Sequence, residues 1–256
     1  MTSVNIIEAF AEKNRCYQIG APLTPRGLML HSIGCPQPNA AVMARNFNQY
    51  RPNGQSVCVH AFVQRDGTVY QTLPWTVQAW HCGGSANSTH IGIEMTEPAS
   101  IAYTGGASWR DLNPDATEAH VRGTYAAAVE LFADLCNQFD LNPLEDGVII
   151  SHAEGAERGI ASAHADPTHL WRAFGLTMDG FRADVATAMA EKNTVEEDED
   201  MATRYNTVAE LPTWAQEETQ RLIDRGALLG DEHGNLEVTM DMLRTMIVCQ
   251  RMVDGK

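Results

Sequence analysis

The chain has 256 residues, 44% of them apolar, enough for one large domain or a medium domain with a small companion. Its 18 basic and 33 acidic residues leave a net charge of −15, which argues against general binding to nucleic-acid phosphates or to an anionic membrane surface. The opening residues lack the basic start, apolar stretch and cleavage site of a secretory signal, and no run reaches the roughly 18–20 apolar residues of a membrane span, so a soluble protein made in the cytoplasm is expected.

Taken in chain order, GLMLHSIG places His31 where an apolar, strand-like run meets a loop. AVMARNFNQY (41–50) reads as a helix with Asn39 as its N-cap. SVCVHAFVQRDGTVYQTLP (56–74) reads as a hairpin turning at Asp66-Gly67. THIGIEMT (89–96) alternates, with Ile91, Ile93 and Met95 on one face and His90, Gly92, Glu94 and Thr96 on the other. Residues 115–139 carry apolar positions at three- and four-residue steps behind Pro114, which predicts a long helix. DGVIISH (146–152) is a short buried strand that ends at His152. Helices are predicted over 167–174 and 177–192. The pattern is that of a mixed α/β domain, a central β-sheet flanked by helices, over residues 1–190.

The composition then changes. Glu196 to Asp200 are five consecutive acids, and 191–203 reads as an acidic linker. Residues 204–256 form a small C-terminal module of two amphipathic helices, with Leu211, Trp214, Leu222, Ile223, Leu228, Leu243, Ile247 and Val248 at helical spacing. So small a piece is expected to dock on another surface. The six cysteines show no CxxC pair and read as reduced, mostly buried thiols, with Cys35 and Cys82 near the site described next.

His31, His152 and Asp166 all lie at junctions between apolar runs and loops. Two imidazoles and a carboxylate make a three-ligand zinc (Zn2+) site with a fourth position left open, the arrangement of a catalytic rather than a structural ion. Glu94, at the end of its own strand, is a carboxylate outside that set and suits a general base. His60 is expected to orient a neighbour. His90, His120, His169 and His233 are read as surface or helix-flank residues, and Phe47, Phe132 and Trp171 as core.

From about residue 25 to 175 the chain resembles the type 2 N-acetylmuramoyl-L-alanine amidases, the family of the phage lysozyme-type amidases and the peptidoglycan recognition proteins. The words that carry the resemblance are LMLHSIG, VHAFVQRDGTVYQ, AWHCGG, NSTHIGIEM, SHAEG and HADPTHLW, in the family's order of His, Glu, His and Asp. The resemblance implies that His31, His152 and Asp166 ligate zinc and that Glu94 is the catalytic acid and base. It implies a cleft lined by His81, where Trp80 can hold a sugar or peptide of the substrate. His164 stands where many members have a lysine that polarises the scissile carbonyl, and is expected to stabilise the oxyanion. Val59 stands where some members carry a tyrosine, so that phenol is absent.

The implied reaction is hydrolysis of the amide between N-acetylmuramic acid and L-alanine in bacterial peptidoglycan. The enzyme would be an endolysin, cytoplasmic until a holin releases it to the wall. The alternatives are a cytoplasmic recycling amidase for anhydro-muropeptides and a non-catalytic peptidoglycan-binding protein. The tail is similar, over one short helix pair, to S-layer homology modules, which implies either wall binding or a homodimer through that module.

Overall fold

The computed structural model describes residues 4–49 and 57–253, without the side chains of 195–202 and 253. Tyr50 and Ser56, at the ends of the predicted helix and hairpin, and residues 254–256 of the tail lie outside the described residues. The chain divides into two compact units, Met1–Met189 and Ala190–Lys256.

The first unit is built on a six-stranded, mostly parallel sheet in the order β1-β4-β3-β5-β2-β8. Its strands are β1 (Asn5–Glu8), β2 (Gly27–Ser32), β3 (Ala61–Val63), β4 (Thr68–Gln71), β5 (His90–Met95) and β8 (Ile149–Ser151). Only β3 and β4 pair antiparallel, across the turn at Gly67, where φ is 85° and the Asp66 carboxylate accepts from Thr68 N–H. A separate two-stranded ribbon joins β6 (Ile101–Gly105) to β7 (Ser108–Asp111).

Strand alternation divides the sheet into two chemistries. Leu28, Leu30, Ile91, Ile93 and Met95 turn to one face and bury against Val121, Ala128, Leu131, Phe132 and Leu135 of α3 (Pro114–Phe139). That helix starts at an Asn113 N-cap with Pro114 in its first turn and ends at Asp140 in the left-handed region. Trp171 of α5 (Thr168–Trp171), with Phe181 and Val185 of α6 (Met178–Ala202), completes this core. Each such large apolar side chain contributes about 1.5–3 kcal/mol by leaving water.

On the opposite face, Met29 and Ile150 pack with Cys82 and Ala86. Phe62 packs there with Ala40 and Ala44 of α2 (Ala40–Phe47), whose Asn39 N-cap accepts from Val42 N–H as expected. Two short helices, α1 (Arg15–Ile19) and α4 (His152–Glu157), complete the unit.

Two expectations change. The acidic run is helical, because α6 continues to Ala202 instead of giving way to an irregular linker at 191. Backbone hydrogen bonding along an already nucleated helix adds a residue at little cost, whereas starting one is unfavourable. Thr96 lies past the end of β5, and its Oγ1 meets Nε2 of His120 on α3.

The second unit has its own apolar cluster. Leu211, Ala215, Leu222, Leu228, Val238, Leu243 and Ile247 are buried together, from α7 (Thr213–Asp224), α8 (Met240–Val253) and the segments before and between them. Of the residues picked by spacing, Trp214 and Val248 are exposed. No helix among the described residues is long and apolar enough to cross a membrane.

Candidate metal and catalytic site

β2, β5 and β8 are neighbours in the sheet, so their C-terminal ends lie side by side. His31 leaves the end of β2, in register with Glu94 of β5. His152 follows β8 as the first residue of α4, whose capping box joins the Ser151 and Glu154 side chains to each other's backbone. Arg182 braces that turn through a 3.0 Å ion pair with Glu154 and a bond to Ile149 O. Asp166 comes from the loop before α5, drawn in by Ala153 N–H donating to its backbone carbonyl.

The side chains converge. Nδ1 of His31 is 3.0 Å from Nδ1 of His152 and 3.2 Å from Oδ2 of Asp166, and Nδ1 of His152 is 3.5 Å from Oδ1 of Asp166. The outer ring nitrogens are held from behind. Nε2 of His31 meets Nδ1 of His81 at 2.9 Å, and Nε2 of His81 meets the carbonyl of His90 at 3.2 Å. Nε2 of His152 meets Ser162 Oγ at 3.3 Å, and that hydroxyl donates its one proton to Cys82 O.

These partners set the tautomers. A carbonyl only accepts, so His81 donates from Nε2 and accepts at Nδ1, and His31 donates from Nε2. Ser162 has spent its proton, so His152 also donates from Nε2. Both ligand imidazoles therefore present bare Nδ1 lone pairs to each other and to a carboxylate. Such a set repels itself in the absence of a cation and fits one divalent ion with two nitrogen ligands and one oxygen ligand. His31, His152 and Asp166 are the only group of this kind among the described residues.

Burial pushes the His31 imidazole below its usual range, against the nearby Asp166. Burial works to raise the Asp166 carboxyl, but a proton on Nδ1 of His152 or His31, standing where a cation would, outweighs it and holds the group well below the usual carboxylate range.

Glu94 faces the same cavity. Burial, then the charges of Asp166 and Glu97, raise its carboxyl well above the usual range, and its Oε2 is buried with no hydrogen-bond partner among the described residues. The cavity, about 980 Å³, is also lined by Ser162, His164, Tyr103, His169 and Arg172. His164 is exposed, with its ring centroid 4.4 Å from that of His152. Its Nδ1 is 3.0 Å from Ser162 Oγ, so it donates there and turns Nε2 outward.

Other expectations are corrected. Trp80 does not line the cavity. It packs beside the cluster of Ala11, Cys16, Cys58, Leu73 and Ala79, with Arg15 5.9 Å over its ring. His81 reaches the cavity wall, but it is buried with both nitrogens engaged and so braces His31. Gly92 makes room for it, since a Cβ there would sit 2.4 Å from Cγ of His81.

His90 and His120 are buried, not surface residues, because each finds a backbone acceptor, Gly147 O and Thr96 O respectively. His60 does orient neighbours. It accepts from Gly92 N–H and donates to Val77 O, and burial pushes it down to about 4. His233 is exposed.

Sequence reasoning missed a second cluster on the cavity wall. Tyr103, on β6, donates its hydroxyl to Glu97 Oε2 at 2.9 Å and lies 2.7 Å from Nε2 of His169. Glu97 is fully buried and also accepts from Gly34 N–H. A phenol thus reaches the cavity from the ribbon, although Val59 occupies the position where one was sought. The only sequence signal was an aromatic residue two positions before Gly105-Gly106.

The model of the N-acetylmuramoyl-L-alanine amidase family matches residues 21–169, and the chain belongs to that family. Solved structures share the fold. The catalytic domain of XlyA is 23% identical, with 71% of this chain and 99% of that one covered at a TM-score of 0.50. The Staphylococcus aureus hydrolase AmiA is 18% identical, with 76% and 87% covered at 0.58. The PlyG catalytic domain is 16% identical, with 73% and 96% covered at 0.52. A comparison with curated proteins finds no match.

Proposed function

We propose that the chain is a zinc-dependent endolysin that hydrolyses the amide between N-acetylmuramic acid and L-alanine in peptidoglycan. The observation that carries this reading is the convergence of two bare imidazole nitrogens and the Asp166 carboxylate beside the unpartnered Oε2 of Glu94 in one cavity. Membership of the amidase family supplies the substrate class.

His31, His152 and Asp166 would hold the zinc ion, which supplies Lewis-acid polarisation of the scissile carbonyl and acidifies water. Glu94, with its raised proton affinity, takes the proton of the attacking water and returns it to the alanine nitrogen, so that no amide anion is expelled. His164 stabilises the developing oxyanion. Its Nδ1–H is committed to Ser162, so it donates from Nε2 only when protonated. His81 and Ser162 keep the ligand rings in the required tautomer and orientation.

The second unit, outside the residues matched by the family model, is assigned to wall docking, with self-association as the other use.

Digestion of purified walls tests the bond. New N-terminal alanine without new reducing sugar is expected, and reducing sugar without alanine would refute it. Elemental analysis should find one zinc per chain, removed by chelation together with activity. Active protein free of metal would refute the zinc assignment.

A further inference from the structure

Cys16, on α1, and Cys58, just before β3, are both buried, and they share one apolar cluster with Ala11, Leu73 and Ala79 that contains no other cysteine. Each is the leading influence on the other's titration, Cys58 lowering the Cys16 thiol and Cys16 raising that of Cys58, while the Cys58 Sγ–H donates to Val59 O at 3.5 Å. The backbone of Trp80 holds both. Its carbonyl accepts from Cys58 N–H at 3.2 Å, and its amide donates to the Cys16 sulfur. Asn14 ties the same two segments together, because its side-chain amide donates to Val57 O at 3.0 Å while its Oδ1 caps α1 at Cys16 N–H.

We propose that Cys16 and Cys58 form a disulfide when the protein folds in the presence of a small-molecule disulfide, locking the N-terminal segment to the segment that leads into the hairpin. The oxidant is of the glutathione disulfide class. The thiolate of Cys16 attacks one sulfur of the reagent and releases the first thiol. The thiolate of Cys58 then attacks the mixed disulfide at Cys16 and releases the second. The protein loses two hydrogen atoms and the reagent becomes two thiols.

Cys16 is the better attacking group. The neighbouring Cys58 lowers its proton affinity, and Cys16, with burial, raises that of Cys58. Burial of both sulfurs means that exchange takes place during folding or opening, not on the closed protein.

The bridge would bear on the site through one residue. Trp80 immediately precedes His81, the brace of His31. Cross-linking the two segments that hold Trp80 would stiffen the wall behind the metal ligands. The remaining cysteines lie elsewhere: Cys82 on the cavity wall, Cys136 in the main core, Cys35 half-buried and Cys249 exposed.

The test refolds the full chain in a buffer of oxidised and reduced glutathione, and in reductant alone. Non-reducing peptide mapping is expected to join the peptide containing Cys16 to that containing Cys58. The melting temperature should rise by roughly 5–15 °C over the reduced protein, the scale for closing a long loop. Cys16→Ser and Cys58→Ala should each abolish the joined peptide and the rise. If a variant fails to fold, the wild-type map decides. Glutathione adducts on either cysteine, a link between other cysteines, or free thiols at both positions would overturn the proposal.

Discussion

Nε2 of His31 lies 2.9 Å from Nδ1 of His81, which is itself fixed by the His90 carbonyl. One carbonyl therefore decides, two imidazoles away, which nitrogen of His31 is bare. His81→Ala should weaken zinc binding about 10–100-fold, the usual effect of losing such a partner. Gly92→Ala should do the same, because its new Cβ would sit 2.4 Å from Cγ of His81. Competition with a chelator of known affinity measures both, and wild-type affinity in His81→Ala would show that His31 needs no brace.

Glu94→Gln should keep its zinc and lose turnover by a factor on the order of 10² or more, the scale of a lost general base. The comparison is made on zinc-loaded protein with a soluble muropeptide. Near-normal turnover would move the base elsewhere, with Glu97 and Tyr103 next in line.

The raised Glu94 carboxyl also has a stability signature in metal-free protein. The folded state keeps this proton to higher pH than the unfolded chain does. Stability therefore falls as pH rises from the ordinary carboxylate value, about 4.3, toward the raised folded one. Metal-free Glu94→Gln should melt above metal-free wild type at neutral pH, and the gap should close near pH ~4. Thermal melts in chelator across that range check the sign, and a gap that widens on acidification contradicts it.

His164→Ala should lower turnover without releasing zinc. His164→Lys should retain activity, since an ammonium can donate to the same developing oxyanion. Metal loss in the alanine variant would instead make His164 a support for His152, whose ring it meets at a tilt with centroids 4.4 Å apart.

A chain ending at Ala202, the end of α6, should cleave soluble muropeptides about as well as the full protein and clear intact cells poorly. Loss of cleavage on the soluble substrate would make the C-terminal unit part of the catalytic fold. Light scattering separates the two roles of the tail: a dimer that becomes a monomer on truncation favours self-association.

Much of the frame was legible because local rules agreed with the fold. Alternation in THIGIEMT set Ile91, Ile93 and Met95 against α3 and left Glu94 on the side of the site. Asn113-Pro114 and Asp66-Gly67 marked a helix start and a turn that the structure contains. What escaped depends on contacts distant in sequence. β1 is an exposed four-residue edge strand with no pattern of its own. The buried state of His90 and His120 follows from carbonyls on other elements. The Tyr103–Glu97–His169 cluster joins three segments, and the bond between Tyr103 and His169 alone spans 66 positions. Trp80 misled because an aromatic beside a cleft histidine can as readily face the protein interior.

His31 at the end of β2 and His152 just past the end of the adjacent β8 lie 121 positions apart in the chain. Between them the chain lays down the hairpin, β5 and the whole of α3. The donor triangle therefore does not exist in any intermediate that lacks β8, and a partly made or misfolded chain has no tight place to take up a metal. Zinc uptake in a refolding reaction would therefore time the docking of β8 rather than the first collapse, because pairings so far apart in sequence form late.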